Sequence, residues 1–142
     1  MRPRRAARLG VLVAALAGCS GEPAAGDGAF PAEPLSTTKS QGGALSVAVR
    51  TSPSQPPPRG TCAVELTVTD AAGTPVDGLA VVVVPFMPSH GHGASVKPTV
   101  TARGGGRYEV ANVTLFMPGS WELRTTFSGK VEDRAAPIVN VP

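Results

Sequence analysis

The sequence predicts an all-β domain, an immunoglobulin-like antiparallel β-sandwich of about seven strands. Three observations predict it. Apolar and polar residues alternate through several short segments, the period of a strand with one buried face. Clusters of Gly, Pro, Asp and Ser break those segments at turn-like intervals. No stretch keeps its apolar residues at helical spacing.

The elements follow in chain order. Arg2, Arg4, Arg5 and Arg8 form a basic head, and an apolar run follows from Leu9 to Ala17. A basic head, a short apolar run and small residues make a secretory signal. The run is shorter than the ~20 residues a membrane-spanning helix needs. "LAGC", Leu16 to Cys19, resembles a bacterial lipoprotein box. The resemblance implies a signal peptide over residues 1–18, cleavage before Cys19 and a lipid on its thiol. A plain secretory signal cut further along is the alternative. Ser20 does not resemble an inner-membrane retention signal, which favours an outer-membrane anchor facing the periplasm. Residues 19–43 are small, polar and rich in Gly and Pro. Such a segment buries too little apolar surface to offset its ordering entropy, so it reads as a flexible tether. The folded domain is expected over residues 44–142.

Within that domain, "ALSVAVR" (Ala44–Arg50) and "TCAVELTVTD" (Thr61–Asp70) alternate cleanly. "LAVVVVPF" (Leu79–Phe86) is a continuous run, expected to lie at a sheet centre or to be buried on both sides. "VKPTVTAR" and "GRYEVANVTLF" flank a Gly-rich hairpin signal. "SWELRTTF", a "SGK" turn and "APIVNVP" complete the strands. The expected core is Val64, Leu66, Val68, Val82, Val84, Tyr108, Val110, Val113, Trp121 and Leu123.

Charge narrows the class of function. The chain has 13 Lys and Arg against 10 Asp and Glu, but four of the arginines sit in the leader. Without them nine basic residues face ten acidic ones, a net of about −1 with neutral histidine. That balance, with no aromatic residues interleaved in a basic patch, gives no reason to expect nucleic acid. If Cys19 carries lipid, Cys62 has no partner for an internal disulfide. It then reads as a small buried apolar residue.

One stretch carries chemistry. "FMPSHGHG" (Phe86–Gly93) places Met87 three residues before His90, with His92 two further on, and "FMP" recurs at Phe116–Pro118 ahead of Trp121. If consecutive strands alternate in direction, both "FMP" segments leave the same end of the sandwich. Met87, His90, His92, Met117, Trp121 and Cys62 would then gather there. Thioethers suit Cu(I), imidazole suits copper, zinc and nickel, and both loops lack the carboxylates that hard ions need. In an extended segment His90 and His92 would face one way. The candidate metal ligands are therefore Met87, His90, His92 and Met117, for copper with Cu(I) favoured. The plainer reading stands beside it. The methionines would plug the end of the core, Trp121 would belong to that core, and the histidines would be solvated.

The stretch "VTDAAGTPVDGLAVVVVPFMPSHGHG", followed by "GRYEVANVTLFMPGSWELR", resembles the YtkA-like domain, with the FixH proteins as relatives. The shared pattern is a "D..G.PV.G" turn, a strand ending in "MP..GHG", and "G.Y...V...M.G.WEL". The resemblance covers Gly60 to about Phe127. It implies a small immunoglobulin-like domain of bacterial envelope proteins, with copper handling as the associated role. Met87, His90, His92, Met117 and Trp121 fall on its motif positions.

No catalytic constellation stands out. There is no G-x-S-x-G elbow, and "RGGGR" lacks the lysine and strand–helix context of a phosphate loop. The expectation is a monomeric binder and not an enzyme, held to the membrane through Cys19. It would be a copper-binding accessory or chaperone domain that meets an envelope protein as partner or metal recipient. The alternative is a metal-free interaction module that docks an envelope partner through the same loops.

Overall fold

Alternation in the sequence becomes alternation in burial. The computed structural model describes residues 30–142, and every regular element among them is a strand. The strands are β1 (Ser36–Lys39), β2 (Leu45–Ser52), β3 (Gly60–Asp70), β4 (Ala80–Met87), β5 (His92–Gly93), β6 (Thr99–Gly104), β7 (Arg107–Leu115), β8 (Gly119–Ser128), β9 (Asp133–Ala135) and β10 (Ile138–Val141). They form two antiparallel sheets, in the orders β1-β2-β3-β7-β6 and β10-β8-β4-β5, with β9 also on β8. This is the expected β-sandwich. Among the described residues no helix is long and apolar enough to cross a membrane. The leader, Cys19 and the first part of the tether lie outside the described residues.

The core fills the space between the sheets. β2 contributes Leu45, Val47 and Val49, β3 contributes Cys62, Val64, Leu66 and Val68, and β8 contributes Trp121, Leu123 and Phe127. Val110 and Val113 of β7 are three apart, a spacing that would point them to opposite faces of a regular strand. A bulge reconciles them. Cys62 pairs Val113 and Val64 pairs Val110, so Ala111 and Asn112 together oppose Ala63. Asn112 takes a φ of 59°, and both valines face inward with no exposed surface.

Two expectations need correction. Residues 19–43 were expected to be tether throughout, yet Ser36–Lys39 pairs with β2 over Val49 to Ser46. The polar run Ser-Thr-Thr-Lys forms a strand there because β2 offers an edge. The second concerns β4, which does lie inside its sheet, between β8 and β5, but is not buried on both faces. Val82 and Val84 are 59% and 49% exposed, while Val83 is 4% exposed and Met87 is 1%. β4 has β8 along one side and the two-residue β5 on the other, and Val82 and Val84 lie on its face turned away from the opposite sheet. Four consecutive valines carry no signal of which alternate pair faces in. Pairing with β8, where Val83 opposes Thr125 and Pro85 opposes Leu123, decides it.

The "D..G.PV.G" turn is structural. Asp70 Oδ1 accepts hydrogen bonds from the amides of Ala72 and Thr74, both at 2.9 Å, and Gly73 takes a φ of 82°. The chain then returns along β3, where the Val76 amide donates to the Val68 carbonyl at 2.9 Å. Tyr108, buried on β7, donates its hydroxyl to the Val76 carbonyl at 2.8 Å and accepts the Leu79 amide at 3.1 Å. Asp77 Oδ1 accepts the Gly106 amide at 2.7 Å. Gly106 has a φ of 73°, and a side chain there would collide with the Val68 carbonyl, so only glycine fits. This end of the sandwich is tied by hydrogen bonds. The chemistry-bearing residues lie at the other end.

Candidate metal centre

β4 ends at Met87, and a tight turn follows. The amides of His90 and Gly91 donate to the Met87 carbonyl at 3.2 and 3.0 Å, and Gly91 takes a φ of 66°. The chain doubles back as β5, whose His92 pairs with Met87 and whose Gly93 pairs with Phe86. Opposite partners in an antiparallel pair share a face, so His92 shares the inner face with Met87. His90 sits in the turn and is exposed, whereas His92 is half-buried. The two imidazoles do approach each other, with centroids 5.7 Å apart. The turn brings them together, not the extended segment expected from the sequence.

The second "FMP" arrives at the same place. β7 ends at Leu115 and β8 starts at Gly119, while Phe86 near the end of β4 pairs with Glu122 near the start of β8. Both segments therefore leave one end, as strand alternation predicts. The Met87 methyl reaches the second loop, because a side chain built on Gly119 would stand 2.8 Å from Met87 Cε. Met117 is half-buried and packs on the core, and its carbonyl accepts the indole N–H of Trp121 at 3.0 Å. Trp121 is fully buried. His92 stands edge-on to its ring at 6.3 Å, and Phe116 stands edge-on at 5.9 Å. One indole thus touches both ligand-bearing segments.

Cys62 lies near the start of β3 on the other sheet, opposite Val113, and is buried at 5% exposure. Burial pushes its thiol up to about 11, so it stays protonated and weakly nucleophilic at neutral pH. It belongs to the core, as the plainer reading of it held. Met87 is also a core residue, which gives it a packing role whatever else it does. The sequence reading overlooked Gly119, which leaves room for the Met87 methyl. It also overlooked the Trp121–Met117 hydrogen bond, although the four-residue spacing in "MPGSW" made it accessible.

A metal–nitrogen bond of about 2 Å places an imidazole centroid about 3 Å from the ion, so two imidazoles on one ion have centroids about 5–6 Å apart. The 5.7 Å between His90 and His92 meets that condition. His92 Nδ1 lies 3.3 Å from the Gly93 carbonyl, which favours the tautomer with its proton on Nδ1 and leaves Nε2 to ligate. Among the described residues no three of His, Cys, Asp and Glu gather to hold an ion. A centre here would need the thioethers, and a set of two imidazoles and two thioethers is a soft one.

The fold and rim define a small antiparallel β-sandwich with histidines and methionines at one end. A family model described as YtkA-like matches residues 39–126, more than half of the chain, and the protein belongs to the YtkA-like family. The match begins at the last residue of β1, ahead of the folded boundary expected from the sequence. No curated protein and no solved structure matches the chain.

Proposed function

We propose that the protein is an envelope lipoprotein whose YtkA-like sandwich binds copper, with Cu(I) favoured, as an accessory or chaperone in metal handling. Cys19 would carry the lipid and hold the domain at the membrane, with the outer membrane favoured. Met87, His90, His92 and Met117 would be the ligands. The observation that carries this reading is the meeting of the two "FMP" segments, where the Met87 methyl lies against Gly119 and His92 packs on the indole that holds Met117. Exposure of His90 would let an incoming or departing ion exchange ligands with a recipient protein. The test is a Cu(I) titration of the protein against a competing chelator. The comparison is a variant carrying Met87→Ala, His90→Ala, His92→Ala and Met117→Ala together. Wild type should retain copper at chelator concentrations that strip the variant, and equal competition would overturn the copper reading.

One observation favours a second reading, a metal-free docking module. Phe116 is 42% exposed on the same rim, an apolar ring offered to solvent beside the histidines. In that case Phe116→Ala would weaken capture of an envelope partner while copper chelation had no effect on it.

A further inference from the structure

We infer that Trp121 is a positioning residue of the copper rim, acting through the Met117 carbonyl to fix that thioether relative to His92. The inference rests on the copper reading above and deepens it. Its basis is geometric. The candidate ligands come from two separate segments, the turn after β4 and the loop between β7 and β8. Hydrogen bonds within the first segment hold it to itself and to Pro85, where the Ala94 amide donates to the Pro85 carbonyl at 3.1 Å. The backbone pairing of β4 with β8 ends at Phe86 and Glu122, short of the turn and of the loop between β7 and β8. Beside the contact of the Met87 methyl with Gly119, the indole supplies a link that includes a hydrogen bond. Its N–H donates to the Met117 carbonyl at 3.0 Å, and its edge-on contact with the His92 imidazole is at 6.3 Å. The ring is fully buried, so it is a rigid reference for both segments. An apolar core position does not need an indole in particular. Phenylalanine or leucine would fill it without bringing a polar N–H that must then find an acceptor. The N–H finds its acceptor on a ligand-bearing residue four positions earlier in the chain.

Ligand spacing matters because an ion is bound only when its donors converge at bonding distance without further cost in ordering. Releasing the Met117 carbonyl would let the loop and its thioether move while the histidine turn kept its own bonds. The expected loss is therefore of sulfur ligation, with nitrogen ligation retained.

The experiment replaces Trp121 by benzothienylalanine, an isostere with sulfur in place of the N–H, so that ring packing is kept. Trp121→Phe serves as a second, genetically encoded variant. Each change is made in the wild-type chain and in the Met117→Ala chain, and Cu(I) affinity is read by chelator competition. X-ray absorption of the bound copper counts sulfur and nitrogen neighbours. Loss of one neutral hydrogen bond should weaken affinity about three- to tenfold in the wild-type background. It should change little once the Met117 thioether is already absent, since paired effects that share one interaction are not additive. The sulfur count should fall by about one while the nitrogen count holds. Equal losses in both backgrounds, or an unchanged sulfur count, would overturn the inference while leaving the copper reading in place. If the unmodified chain competes no better than the quadruple variant, both fall together.

Discussion

Tyr108→Phe removes a single oxygen from the tied end of the sandwich, and the structure fixes what that should cost. Tyr108 is 1% exposed, and its hydroxyl bonds the Val76 carbonyl at 2.8 Å and the Leu79 amide at 3.1 Å. Val76 and Leu79 are themselves buried, so water cannot readily replace the lost partner. Phenylalanine keeps the ring, which makes the cavity contribution small. What remains is one unpaired buried carbonyl and one unpaired buried amide. Leaving a buried polar group unsatisfied costs about 1–3 kcal/mol. The two together should cost about 2–6 kcal/mol, a large part of the 5–15 kcal/mol that typically holds a domain folded. Urea unfolding followed by Trp121 fluorescence measures it, and the denaturant slope should be unchanged because the same surface is exposed. A loss under about 0.5 kcal/mol would refute the argument, since it would mean that the hydroxyl satisfies nothing otherwise cut off from water.

Further outcomes follow from the same structure. Val83→Thr should destabilise by about 1–3 kcal/mol by burying a hydroxyl, and Val84→Thr by no more than a few tenths; the reverse order in denaturation would return β4 to the face expected from sequence. The Ser40 hydroxyl beside Asp133, together with the Gly42 and Arg134 amides, holds its carboxyl down to about 2, below the ordinary 3.8. Its contribution is therefore complete above about 4 and lost as pH falls from there toward 2, and Asp133→Asn should flatten the unfolding profile in that window. Cys62, buried with its thiol raised to about 11, should resist alkylation at pH near 8 until urea unfolds the chain, and rapid labelling of the folded protein would contradict its burial.

The amino-acid sequence by itself determined the all-β class, the β6–β7 hairpin, the turn chemistry of Asp70 to Gly78 and the YtkA-like family. These are local signals. Period-two alternation, glycine at positive φ and an aspartate capping its own turn depend on near neighbours in the chain, so they are legible before folding. The convergence of the two "FMP" segments was also within reach, because antiparallel strands alternate in direction. Tertiary structure alone decided the rest. The run Val81–Val84 could turn either alternate pair inward, and pairing with β8 chose Val83. Ser36–Lys39 has no apolar pattern of its own and is a strand because the edge of β2 lies open to it. Val110 and Val113 share a face only through a bulge set against β3. At the rim, residue types named the candidate ligands, while the packed indole between the segments decided which of them meet. His92 and Met117 touch one buried ring, and Cys62 is left in the core of the opposite sheet. Side-chain chemistry is written residue by residue, whereas a face, an edge or a shared neighbour exists only once two distant segments have packed.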